Sequence, residues 1–125
     1  MQIVELKHGD GARSGEAHVV FSHDEKYFEG HFPYAPILPG VVLIDAALEI
    51  VSRVTQKPLR WTTLSCVKFC NVVQPDQEIC FTFKIVSAED GDSVLKLVGR
   101  WMRGREKIAD VQGVATDERG PCDAS

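Results

Sequence analysis

Hydrophobic spacing divides the chain into one helical segment and a series of strand-like segments. Over Gly40–Val54, apolar residues fall at Val41, Leu43, Ile44, Ala47, Leu48, Val51 and Val54, a stripe at helical spacing. Val42, Ala46 and Ile50 widen it almost all the way round, so the helix is expected to be buried on nearly every side. Elsewhere the period is two. Ile3–Lys7 reads as a short strand, His8–Ser14 as a turn, and Glu16–Phe21 as a strand with Ala17, Val19 and Phe21 on one face. Everything after Lys57 reads as strand: Leu59–Val73, long enough to need a break or bulge, then Glu78–Ser87, Val94–Met102 and Lys107–Ala115. Asp90–Gly91 and Arg103–Gly104 are suited to hairpin turns. One helix against hairpin-connected strands predicts an α+β fold, an antiparallel sheet wrapped around a central helix. No Gly-rich loop follows a strand, which argues against nucleotide binding.

Length narrows the picture further. The 125 residues suit one domain, expected over residues 1–116, with the polar stretch 117–125 as a flexible tail. A single chain of this size buries roughly two-thirds of its unfolded surface, which leaves little room for a deep closed pocket within one subunit. The net charge of -4 argues against a nucleic-acid partner. The longest apolar run, Val41–Ile44, is far too short to span a bilayer, and the first ten residues show no signal-peptide pattern. The expectation is a cytoplasmic protein without membrane insertion. Cys66, Cys70, Cys80 and Cys122 form no C-x-x-C pair, and no histidine lies close in sequence to activate any of them. They read as reduced, small hydrophobes, with a disulfide or zinc site as the weaker alternative. His8, His18 and His23 read as structural or solvent-facing, His18 pointing away from Ala17 and Val19.

Three candidates for chemistry fall within fifteen residues. His31 stands in Gly30–His31–Phe32–Pro33, a tight loop motif, and histidine moves protons near neutral pH. Alone, it reads more often as a structural histidine. Asp45 lies within the apolar helix, where a carboxylate needs a partner or a task. Burial and a nearby carboxylate would favour its protonated form, which suits a proton donor. Glu49, one turn on, reads as an ion-pair partner of Arg53. Pro39–Gly40 opens the helix, where free backbone N–H groups can polarise a thioester carbonyl. A base, an acid and an oxyanion site together fit proton abstraction beside a carbonyl with loss of a β-hydroxyl.

Gly30–His31–Phe32–Pro33, Pro36, Pro39–Gly40–Val41 and Ile44–Asp45–Ala46 closely resemble the 3-hydroxyacyl-[acyl-carrier-protein] dehydratases of the FabZ/FabA type. Val67–Lys68–Phe69 and Pro75–Asp76 continue the resemblance, which covers most of Gly15–Ala115. It implies a hot-dog fold, paired as a homodimer or a hot-dog heterodimer, with active sites at the interface. It also implies a 3-hydroxyacyl substrate on the phosphopantetheine arm of acyl carrier protein, a trans-2-enoyl product, and neither metal nor organic cofactor. By the same resemblance His31 from one subunit removes the α-proton, and Asp45 from the other assists departure of water. The Gly40 N–H binds the thioester oxygen, with Phe32, Pro39 and Val41 beside the substrate. Leu48, Trp61 and Phe69 are candidates for setting acyl depth. Position 45 is Asp, as in the FabA branch, whereas FabZ-type enzymes carry Glu there and usually Gln where this chain has Glu49. The chain also resembles the short ApeI-like dehydratases of aryl polyene clusters. Two other readings stay open: a hot-dog thioesterase, against which His31 argues, and a non-catalytic subunit of a heterodimer. Arg100, Arg103, Arg105 and Lys107 cluster around one turn, either as an ordinary solvated hairpin or as a docking patch for an acidic carrier.

Overall fold

A computed structural model describes residues 1–28 and 37–119 of the chain, without the side chains of Asp10 and Tyr27. Six strands and one long helix account for most of them: β1 (Gln2–His8), β2 (Ser14–Val20), α1 (Gly40–Thr55), β3 (Leu59–Phe69), β4 (Glu78–Glu89), β5 (Val94–Arg103) and β6 (Glu106–Asp117). The strands form one antiparallel sheet in the order β1-β2-β4-β5-β6-β3. The chain thus leaves β2, passes through α1 and returns as β3 at the far edge. This is the α+β hot-dog architecture expected, with the helix held against one face of the sheet.

Alternation builds the core. Ile79, Phe81, Phe83 and Ile85 of β4 point inward, as do Leu95, Leu97 and Trp101 of β5 and Val111 and Ala115 of β6. The Phe81 and Trp101 rings meet at 4.7 Å between centroids. From the helix come Leu43, Ala46, Ala47, Ile50, Val51 and Val54, all buried. Each larger side chain contributes about 1.5–3 kcal/mol on burial. Packing, more than propensity, therefore holds a helix rich in β-branched residues. Two indoles also grip its first half: Trp101 Nε1 donates to the Leu43 carbonyl at 3.2 Å, and Trp61 Nε1 to that of Ile44 at 3.1 Å. The helix stops at Gln56, which takes the left-handed conformation (φ 58°) and donates its N–H to Ser52 O; Pro58 follows.

Three expectations are corrected. The helix is not buried all round: Val41, Asp45, Glu49 and Arg53, spaced four apart, are all exposed. Its apolar excess includes residues with no core to enter among the described residues. The strand expected over Leu59–Val73 ends at Phe69. Beyond it the chain turns back, burying Val73 and giving Val73 O to the Leu38 N–H at 2.7 Å. The bulges expected in that strand lie between Trp61 and Thr63 and between Leu64 and Cys66. β6 continues through Asp117, whose buried carboxylate accepts three hydrogen bonds from Arg119, so residues 117–119 belong to the folded domain. Both hairpin turns fall where expected, with positive φ at Asp90, Gly91, Asp92 and Gly104.

Candidate functional site

Of the three chemical candidates, two lie within the described residues. Gly30, His31, Phe32, Pro33 and Pro36 lie outside them, and so does any distance from His31 to Asp45. Pro39 is the N-cap of α1, extended at φ -61° and ψ 139°, and makes no side-chain cap. Among the described residues no side chain caps the helix start, whose N–H groups are left to the backbone and to whatever approaches from outside. Gly40 is glycine for a packing reason too: a Cβ there would stand 2.6 Å from the Phe69 ring. That ring, on the edge strand β3, covers the first turn.

Asp45 sits on the exposed stripe, not in the core. It lines an open groove with Met1, Phe21, Val42, Ala46 and Glu49. Glu49 pairs with Arg53 at 3.5 Å, as its spacing implied. A second groove beside the helix start is mainly apolar, lined by Pro39, Gly40, Val41, Phe69 and Val72 among others. Val41 (60%), Val72 (54%) and Phe69 (49%) are unusually open for such residues. An apolar patch next to a carboxylate and an uncapped helix terminus is a surface prepared for another molecule.

The basic cluster is largely spoken for. Arg100 and Lys107 both hold Asp110, each at 2.8 Å, and keep its carboxyl below the usual carboxylate range; the Lys107 hydrogen bond is the larger cause. Arg103 pairs with Glu106 and donates to Val72 O and Gln77 Oε1, both at 2.9 Å. It ties the chain after β3 to the β5–β6 hairpin. Arg105 is exposed at the turn. His23 braces another turn, donating its backbone N–H to Asp76 Oδ1 at 3.1 Å with its ring 2.9 Å from Oδ2.

A grouping that sequence reasoning missed lies on the outer face of the sheet. Glu16 and His18 of β2 meet Cys80 of β4, with the three donor atoms within 4.8 Å of one another. His18 and Cys80 are 62 positions apart, and only the β2–β4 register brings them together.

A curved antiparallel sheet around one helix, with a carboxylate on the helix's open side, defines a hot-dog protein. Residues 7–98 match the ApeI-like family, ApeI dehydratase, and the chain belongs to that family. It is similar to a 3-hydroxyacyl-[acyl-carrier-protein] dehydratase FabZ of Teredinibacter turnerae, 32% identical over 112 residues, 78% of this chain and 75% of that one. A FabZ of Syntrophobacter fumaroxidans is 34% identical over 71 residues, 50% of this chain and 48% of that protein. Matches to several Shewanella FabZ proteins likewise span about half of those relatives' length. Among solved structures, the dehydratase heterocomplex ApeI:P from Xenorhabdus doucetiae superposes with a TM-score of 0.75 at 17% identity, covering 91% of this chain and 96% of that one. Among the described residues, no helix is long and apolar enough to cross a membrane.

Proposed function

We propose that this protein dehydrates 3-hydroxyacyl thioesters carried by acyl carrier protein, giving trans-2-enoyl thioesters. The observation that carries the reading is Asp45, on the open stripe of α1 near the uncapped helix start at Gly40, inside the segment that matches the dehydratase family. His31 takes the α-proton of the substrate. The Gly40 N–H holds the thioester oxygen as negative charge gathers there. The electron pair left at the α-carbon forms the double bond, and the β-hydroxyl leaves as water with a proton delivered through Asp45. No electrons change hands overall, so the step as written needs no redox cofactor.

A second hot-dog chain completes the site, covering the open stripe and bringing the other half of the pair His31 and Asp45. That chain is another copy or a different hot-dog subunit. The exposed Val41, Val72 and Phe69 and the likeness to a heterocomplex support the need for one. The carrier protein approaches the β5–β6 hairpin, where Arg105 is exposed at the turn.

The test is to incubate the purified chain, alone and with candidate partner subunits, with 3-hydroxyacyl and enoyl carrier-protein thioesters. Intact mass is then followed. Loss or gain of water is expected. Release of free carrier thiol would instead identify a thioesterase, and no change in any combination would sink the catalytic reading.

A further inference from the structure

The cluster on the outer sheet face has the composition and shape of a metal site. His18 and Cys80 are direct cross-strand partners. His18 Nε2 lies 2.9 Å from Glu16 Oε2 and 3.8 Å from Cys80 Sγ. On the other side of the ring, Nδ1 lies 3.6 Å from Glu78 Oε2. One imidazole nitrogen thus shares a small space with an oxygen and a sulfur donor, and the other faces a carboxylate. A tetrahedral zinc with bonds of about 2.0–2.3 Å sets its donor atoms roughly 3.3–3.8 Å apart. The 2.9 Å pair is closer than that range, the 3.8 Å pair lies at its upper end, and all three donor atoms stay within 4.8 Å of one another, so side-chain rotations can bring them onto one ion.

Charge points the same way. Burial, and then Glu16 and Glu78, push the Cys80 thiol above its ordinary value. Lys7, the cross-strand partner of Glu16 on β1, is engaged with Glu5 at 3.1 Å. A divalent cation would offset the negative surroundings and draw off the thiol proton. Calcium and magnesium take oxygen donors, whereas a thiolate, imidazole and carboxylate set suits zinc. Glu78 Oε2, 3.6 Å from Nδ1, is a short movement away from hydrogen bonding the ring as the outer carboxylate that orients a zinc-bound histidine.

We propose that Glu16 Oε2, His18 Nε2 and Cys80 Sγ bind one Zn²⁺, with His18 Nδ1–H donated to Glu78 and the fourth position open to solvent. As the Zn–S bond forms, Cys80 gives its proton to solvent; no electron transfer occurs. The site lies across the sheet from α1, so its loss leaves dehydration untouched.

Equilibrium dialysis of the full chain against buffered micromolar Zn²⁺, with metal counted by mass spectrometry, is expected to give one ion per chain. Cys80→Ser and His18→Ala should reduce this to background, and Glu78→Gln should weaken binding about 10–100-fold. Co²⁺ in place of zinc should show a thiolate-to-cobalt absorption that Cys80→Ser abolishes. In the unaltered chain, Zn²⁺ should slow alkylation of Cys80, resolved from the other cysteines by peptide mass. That measurement decides the matter even where a variant fails to fold. No zinc above background, stoichiometry unchanged in both variants, or alkylation of Cys80 at the same rate with and without Zn²⁺ would each overturn the proposal.

Discussion

The two sides of α1 differ in what completes them. Leu43, Ala47, Ile50 and Val54 meet the sheet of their own chain, and two indoles bond to the carbonyls of Leu43 and Ile44. Val41, Asp45, Glu49 and Arg53 meet nothing of comparable extent within the described residues. One side makes the fold. The other carries a carboxylate and an apolar patch whose stability within one chain comes only from being tied to the first. The division teaches that helix burial and helix chemistry are separable here, and substitutions can test how cleanly.

The largest effect is expected on the inner side. Trp101→Ala removes a fully buried indole and its bond to the helix, and should cost about 3–5 kcal/mol in denaturant unfolding. A loss below 1 kcal/mol would break the claim that this side holds the fold. On the open side, Asp45→Asn should lower turnover of a 3-hydroxyacyl thioester by about 10²–10⁴-fold. Its unfolding midpoint should not move. Full activity would remove Asp45 from the mechanism, and a large stability loss would blur the two sides.

Asp117→Asn lies on neither side and serves as a calibration. The hydrogen bond from the Arg119 side chain holds the Asp117 carboxyl below its ordinary value, with burial opposing. A lowered value in the folded state means the contribution is complete at neutral pH and is lost as pH falls through that lowered value. The variant should cost about 1–3 kcal/mol at pH 7, and the gap should begin to narrow below about pH 3.9 and close only beneath the lowered folded-state value. A gap that persists unchanged in strong acid would reject the ion pair as its source. The smallest effect belongs to Arg105→Glu. It should raise the apparent KM for carrier-bound substrate a few-fold, by analogy with rim charges at interfaces, and spare a pantetheine analogue. Equal effects on both substrates would count against docking there.

Much of this was legible in the spacing of residues. The apolar run placed the helix start at Gly40 and its end within a residue, because the Pro39–Gly40 entry and the Pro58 exit are local signals. Both hairpin turns were equally local. What the pattern could not say was which apolar residues stay exposed, since a helix side completed by a second surface looks in sequence like one completed by its own core. Val41 is the plain case, apolar and 60% exposed. The meeting of His18 with Cys80 was hidden for another reason. β4 pairs with β2 only because the chain carries β3 to the opposite edge of the sheet, and no local signal announces that crossing.

The bulged edge strand has a consequence for how this chain can change. At Gly113 of β6, a Cβ would stand 2.2 Å from the Thr63 carbonyl oxygen, a backbone atom that cannot swing aside. A half-exposed ring such as Phe69 can yield to a new neighbour; a strand cannot do so alone. In evolutionary terms position 113 has one permitted letter for as long as β3 keeps its present course, and any drift there must wait for drift in the strand beside it.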